Sequence, residues 1–342
     1  MAISKEVLKM RQALPLDVKI QMTRRRIAEF VEMYGLDGVY VSFSGGLDSL
    51  VLLSLSREMY PDIRAVYADA WMEIPQVREF VYSFDNVDIV KPYLSMKEVV
   101  KKHGWCFPSK EVASMIAGAR EGKHWAVMKI QGKNLDGEEV PFRQRYKKWR
   151  ILLDAPFKIS DGCCEELKER PLMDYEIQHG RHPMVALMAE ESARRTSAYL
   201  KTGCNVFDSK QVLDEETGRR KEIPIGRPIS KPVSFWTRND VLRYIYEKRL
   251  SYATPYGQIC KENQVPGQLF LFDMPDDFSC RSCRYYTTGE QRTGCIFCPI
   301  GCHLDGLAKF ERLKKYNPKF YDYCMEELGE KELVEWVRKN ML

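Results

Sequence analysis

No stretch of this sequence reaches about 18 consecutive apolar residues, the length a helix needs to cross a bilayer, so no membrane span is expected. The opening MAISKEVLKMRQALPLDVKI lacks an apolar leader core and a cleavage site, so no secretory signal is expected either. A strong charge of one sign is also missing. Fifty-three basic residues against 48 acidic ones leave a net +5, which admits an anionic ligand without requiring nucleic acid. Repeats and low-complexity tracts are absent, and so are two common phosphate signatures, the Walker-type GKS and GxGxxG. What remains is an ordinary globular composition of 342 residues, enough for one large domain or two smaller ones. Cysteine is the exception. There are 11, and five of them fall within residues 280–302. A cytoplasmic location is expected, and in a reducing cytosol such a crowd reads as metal or cluster ligands rather than disulfides.

Along the chain the spacing predicts a helix over residues 4–35, broken near Pro15. GVYVSFSGG reads as a strand entering a loop, and LDSLVLLSLSREMY as a helix. PDIRAVYADA is a second strand, PQVREFVYSF a helix and VDIVKPY a third strand. Ser95 and Glu98 form a capping box before VVKKHG. Strand and helix in alternation predict an α/β fold, a doubly wound and mainly parallel sheet. Residues from about 104 to 160 interrupt the rhythm and read as an insertion. The rhythm returns at HPMVALMAEESARRTSAYLKTG, a strand and then a helix, and a further capping box runs from Thr237 to Asp240. A surface turn is expected near residue 217. The resulting division is a nucleotide-binding α/β domain over 1–250 and a cysteine-rich, partly helical C-terminal region over 251–342.

The stretch SFSGGLDS, residues 42–49, joins the first strand to its helix. A helix N-terminus offers unpaired amides and partial positive charge, and glycines let an anion approach the backbone. Ser42, Ser44, Gly45 and Gly46 supply that geometry, and Asp48 and Ser49 stand in the first helical turn. A carboxylate there suits a metal ion bridging phosphates. SGGLDS resembles the loop of the N-type ATP pyrophosphatases, which split ATP between its α and β phosphates. YADAWMEIP is similar to the F-x-D-T-x-x-E-x-P stretch of the phosphoadenosine phosphosulfate (PAPS) reductase branch, and that resemblance puts Asp69 beside the nucleotide. MAEESARR occupies the place of the family's R-x-x-E-S-x-x-R element: Glu191, Ser192 and Arg195 match, while Met188 replaces the first arginine. GCNVFDSK, IGRPISKPVSFWTRNDVLRYI and TGEQRTGCIFCPIGCH look like the phage and prophage branch of that family, so that the resemblance spans about residues 25–325.

FKISDGCCEELKERPL is similar to the tandem-cysteine segment of adenylylsulfate reductases. There a Cys-Cys pair and a distant Cys-x-x-Cys hold a [4Fe-4S] cluster, which implies Cys163, Cys164, Cys295 and Cys298 here. A second grouping stays open: Cys280, Cys283, Cys295 and Cys298 have the spacing of a structural Zn2+ site. Cys302 and His303 are spare candidates, and cysteines 106, 204, 260 and 324 read as packing residues.

The resemblance implies an enzyme binding ATP and Mg2+, with Asp48, Ser49 and Arg195 in the reaction. It would adenylate an acceptor, release pyrophosphate and support sulfur transfer, with a sulfur-donor protein such as a cysteine desulfurase as partner. Two other readings stand beside it: a sulfonucleotide reductase, and a nucleotide-binding regulator. The segment Arg143 to Arg150 carries five positive charges and two aromatic residues with no acid, which suits a nucleic-acid substrate as well as a solvated surface.

Overall fold

The structure, a computed structural model, describes residues 3–207, 209–213, 220–224, 226–262 and 283–342. The turn expected near residue 217 lies outside them, as does Cys280. Ten strands are described: β1 Val39–Ser42, β2 Ala65–Ala68, β3 Val87–Val90, β4 His182–Met184, β5 Asn205–Val206, β6 Ser209–Leu213, β7 Arg220–Pro224, β8 Ile229–Ser230, β9 Ile259–Lys261 and β10 Tyr285–Thr287. Six make the main sheet in the order β3-β2-β1-β4-β8-β5. β1 runs parallel to β2 and to β4, β4 runs parallel to β8, and only the short edge strand β5 is seen antiparallel, against β8. The α/β, mainly parallel architecture expected from the alternation is therefore present.

Local chemistry explains the elements that carry this sheet. The first helical stretch breaks at Pro15 into Lys5–Gln12 and Leu16–Tyr34, because proline at the cap position supplies no amide to continue the first helix. The second of these buries Lys19, Thr23, Ile27, Phe30 and Val31, one stripe at helical spacing. The helix Leu47–Met59 is apolar on nearly every side and is buried along most of its length. Both predicted capping boxes form. The Ser95 amide donates to Glu98 Oε2 at 2.8 Å and the Thr237 amide to Asp240 Oδ2 at 2.7 Å.

The chain folds into two compact units that do not follow chain order. The first comprises residues 1–67, 74–90 and 174–293, and the boundary placed at residue 250 runs through it. Its core gathers Val39, Val41, Leu50–Leu53, Phe235 and Trp236. The second comprises residues 68–73, 91–173 and 294–342, and includes the whole expected insertion. It is helical, with a separate core around Trp105, Phe107, Met115, Phe297, Phe310 and Leu333. No helix among the described residues is long and apolar enough to cross a membrane.

Candidate functional site

In the first unit the chain passes from β1 outward to β2 and β3, and the next strand, β4, pairs on the other side of β1. That reversal makes a switch point at the end of β1, where open α/β sheets leave a crevice for ligands. The loop leaving β1 is Phe43–Gly46. Gly45 has φ +71, and a Cβ there would stand 2.7 Å from Val81 Cγ2 and 2.8 Å from Val77 Cγ1, so only glycine fits. Gly46 caps the helix, and its carbonyl takes the first helical bond from the Leu50 amide at 2.9 Å.

The loop is braced by its own serines. Ser49 Oγ donates to the Gly46 carbonyl at 2.9 Å and accepts from the Ser44 amide at 3.2 Å, while Ser44 Oγ takes the Gly46 amide at 3.4 Å. Ser49 thus holds the loop closed from inside, and the Ser44 amide expected to face a phosphate is bonded to it. The amides of Asp48 and Ser49 lie in the first turn, where a helix provides no acceptor. Ser42 ends β1, in register with Val66 of β2.

Asp48 is paired. Its Oδ1 lies 3.1 Å from Arg238 Nη1, with 26% of the side chain exposed. Burial pushes its carboxyl above the usual range, against the pull of Arg238, Arg292 and Arg195. The Arg238 amide donates to Glu190, and its other guanidinium nitrogen donates to the Gln291 carbonyl at 2.8 Å. Ser192 caps the helix Ala193–Thr202 by accepting the Arg195 amide at 3.2 Å. Glu191 pairs with Arg195 and lies 3.5 Å from Arg292. Three guanidinium groups and three carboxylates, of Asp48, Glu190 and Glu191, therefore meet at this helix start. An arriving polyphosphate has to draw arginines away from these carboxylates or bring its own cation.

Arg238 and Arg292 were not found by sequence reasoning. The signal for Arg238 was its position just inside the Thr237 cap, but nothing local shows that this helix start faces residue 48. Met188, at the family's missing arginine, is 1% exposed and belongs to the apolar core, so an anion cannot reach that position. Asp69 is fully buried in the second unit, where its Oδ1 takes the Trp71 amide at 3.1 Å.

The second unit brings the four cysteines of the cluster reading together. Cys163, Cys164, Cys295 and Cys298 line one cavity of about 370 Å3, counting its open mouth. Cys106, read from sequence as a packing residue, lines it too. Cys163 and Cys164 open a helix, Gly162–Cys164, that loosens into a wide turn over Glu165–Glu169. Cys295 and Cys298 stand on a tight turn closed by the Cys298 amide and the Cys295 carbonyl at 3.1 Å, and Lys309 donates to the carbonyls of Cys298 and Ile300.

The thiols of Cys164, Cys163 and Cys106 interact. The interaction with Cys106, with burial, pushes Cys163 up to about 12, and burial pushes Cys298 up to about 12. As bare thiols these groups stay protonated at neutral pH; thiolate ligation needs the positive charge of a bound metal. Two ammonium groups stand by. Lys110 interacts with Cys164, and Lys168 with Cys295 and, at 2.5 Å, with the buried carboxylate of Glu73. Among the described residues no group of three or more Cys, His, Asp or Glu side chains is placed to hold a metal ion. Cys283 is buried in the first unit. Cys302 and His303 are off the cavity wall; His303 is wedged edge-on between Phe107 and Trp149 at 5.7 and 5.4 Å.

No family model matches this chain, and no curated protein matches it. Among solved structures, the crystal structure of phosphoadenylyl-sulfate (PAPS) reductase from Candida auris in its phosphate complex is similar over 74% of this chain and 91% of that chain. The identity is 14% and the TM-score 0.35, a likeness too loose to carry an argument.

Proposed function

We propose that this chain is an ATP pyrophosphatase that transfers AMP to an acceptor oxygen and releases pyrophosphate, in support of sulfur transfer. The observation that carries the reading is the Gly45–Gly46 loop at the sheet's switch point, with Arg195, Arg238 and Arg292 gathered about Asp48. The amides of the first helical turn would receive the phosphates. The three arginines would neutralise the charge that develops on the departing pyrophosphate, where preorganised cations act most strongly. Asp48 fits Mg2+, because magnesium is commonly held by one or two carboxylates together with substrate phosphates. Arg238, once its partner turns to the metal, is free for the phosphate.

The thiol cavity fits a [4Fe-4S] cluster, held by Cys163, Cys164, Cys295 and Cys298, with Lys110 and Lys168 offsetting thiolate charge. Such a cluster would supply electron transfer or a site for sulfur. Trp105 and Phe297 line the same cavity and would shield the group from water. A sulfonucleotide reductase needs an accessible cysteine nucleophile. Cys324 does not offer one, since it is fully buried in the second core.

Asp48→Ala should abolish Mg2+-dependent pyrophosphate release while the circular dichroism spectrum stays unchanged. Calorimetry should find ATP bound more tightly than adenylylsulfate or PAPS. Undiminished pyrophosphate release in the variant defeats the reading, and sulfite production from PAPS with thioredoxin at enzymatic rates restores the reductase. Retained ATP binding with no turnover on any acceptor favours the regulator.

A further inference from the structure

Residues Pro141–Asp154 form a 14-residue 3-10 helix in the second unit, a length this helix type seldom reaches. With three residues per turn, side chains at i and i+3 eclipse, so the helix has three straight rows instead of a helical stripe. One row, Arg143, Tyr146, Trp149 and Leu152, faces inward: Tyr146 and Leu152 are buried, and the Tyr146 hydroxyl bonds Glu111 at 2.5 Å. Another, Phe142, Arg145, Lys148 and Ile151, is exposed at every position, with Phe142 at 61%. The far end is fixed, because the Arg120 guanidinium binds the carbonyls of Leu152, Leu153, Ala155 and Phe157 at 2.7 to 3.1 Å.

Arg143 donates to the Lys133 carbonyl at 2.6 Å, and Arg145 donates to the Tyr146 hydroxyl at 2.8 Å and is drawn toward Glu111. Among the described residues no carboxylate lies within ion-pair distance of Arg143, Arg145, Lys148 or Arg150, whereas Lys147, on the third row, pairs with Glu139 at 3.1 Å. The guanidinium groups of Arg143 and Arg145 lie 5.8 and 5.9 Å from the centre of the Phe142 ring, and Arg145 lies 4.9 Å from that of Tyr146. A solvated face does not require an exposed aromatic ring beside two cations.

We propose that the row Phe142–Arg145–Lys148, with Arg150 beside it, binds single-stranded nucleic acid. Phe142 stacks on an unpaired base, and the cations along the row meet successive phosphates at intervals of about 6 Å, three residues of 3-10 rise. A single strand is favoured over a duplex because the ring needs an unstacked base face. It is favoured over an anionic membrane because the row's two apolar residues stand at its ends and make no continuous apolar face. The proposal concerns the second unit alone and stands apart from the ATP reading.

The test is fluorescence anisotropy of the full chain with a labelled 20-nucleotide single strand, as DNA and as RNA, across a salt series. Competitors are the matching duplex and vesicles of phosphatidylcholine with phosphatidylserine. Phe142→Ala should weaken binding about 5- to 100-fold and leave the salt slope alone, as loss of one stacked base does. Arg145→Ala/Lys148→Ala should weaken it at least tenfold and reduce the salt slope by about 1.4, two single-strand phosphate contacts. Lys97→Ala, a surface lysine paired elsewhere with Glu327, should change nothing. Absence of binding at low salt, indifference to both row variants, or displacement by duplex or vesicles as effective as by single strand overturns the proposal. None of these outcomes bears on pyrophosphate release.

Discussion

Gly45 and Glu330 are two residues whose surroundings leave little freedom. Gly45 combines a positive φ with two valine methyl groups within 3 Å of any added Cβ. Gly45→Ala should therefore lower stability by at least about 1–3 kcal/mol, the usual cost of a strained backbone position, and weaken ATP binding by displacing the loop. Urea denaturation and calorimetry measure the two effects. Glu330 is fully buried at the start of the helix Glu330–Asn340, and neither carboxyl oxygen has a hydrogen-bond partner. Burial holds its pKa well above the ordinary 4.5, with Lys309 pulling the other way. The folded state thus binds this proton more tightly than the unfolded chain. Its contribution is neutral below about pH 4.5, and stability is lost as pH rises from there toward the folded pKa. Glu330→Gln removes that loss, so its gain over the parent in urea midpoint should be larger at pH 9 than at pH 5. An equal difference at both pH values means that the carboxyl is not protonated in the fold.

At the scale of elements, the cysteine-bearing turns make the sharpest prediction. Protein purified without oxygen should be brown, with about four irons per chain. Cys163→Ser and Cys298→Ser should each bleach it, and Cys280→Ser should not. A colourless protein with about one zinc, sensitive to Cys280→Ser and indifferent to Cys163→Ser, is the pattern of the zinc grouping. Legibility in the sequence followed the range of the interactions. β1, β2 and β3, the helices after β1 and β2, the break at Pro15 and both capping boxes were readable, because each depends on residues within a few positions. β5 and β8, two residues each, have no periodicity to read; they exist through pairing alone. The 3-10 helix was readable only as a basic aromatic run. At the candidate sites, the loop was legible as a motif, and the grouping of four cysteines that line the cavity came from the resemblance, not from spacing. Arg238, Arg292 and Cys106 were not legible, because long-range folding brings them in and no local pattern marks them.

The whole molecule interleaves its segments: three stretches of chain build the first unit and three build the second. Neither unit is a contiguous piece that a simple truncation isolates. Removing residues 294–342 deletes Phe297, Phe310, Leu313, Leu333 and Val337 from the second core at once. Each such loss costs about 2–5 kcal/mol, against a typical total stability of about 5–15 kcal/mol. A chain ending at residue 293 should therefore leave residues 91–173 open to limited proteolysis and the protein poorly soluble. Protection of that stretch in the truncated chain would show that it folds without the C-terminal segment. The net charge of +5 is too small to hold such exposed apolar surfaces apart.

The same interleaving sets a schedule during synthesis. Cys163 and Cys164 leave the ribosome about 130 residues before Cys295. At roughly 5–20 residues per second the pair waits about 7 to 26 seconds before the turn that completes the cavity exists. Through that interval the two adjacent thiols are unsheltered, within reach of oxidants and stray metal ions. Any iron insertion through all four cysteines must come after residue 298 has been made. The rate of elongation between these two cysteine pairs thus becomes a determinant of how many chains emerge with the cavity chemically intact.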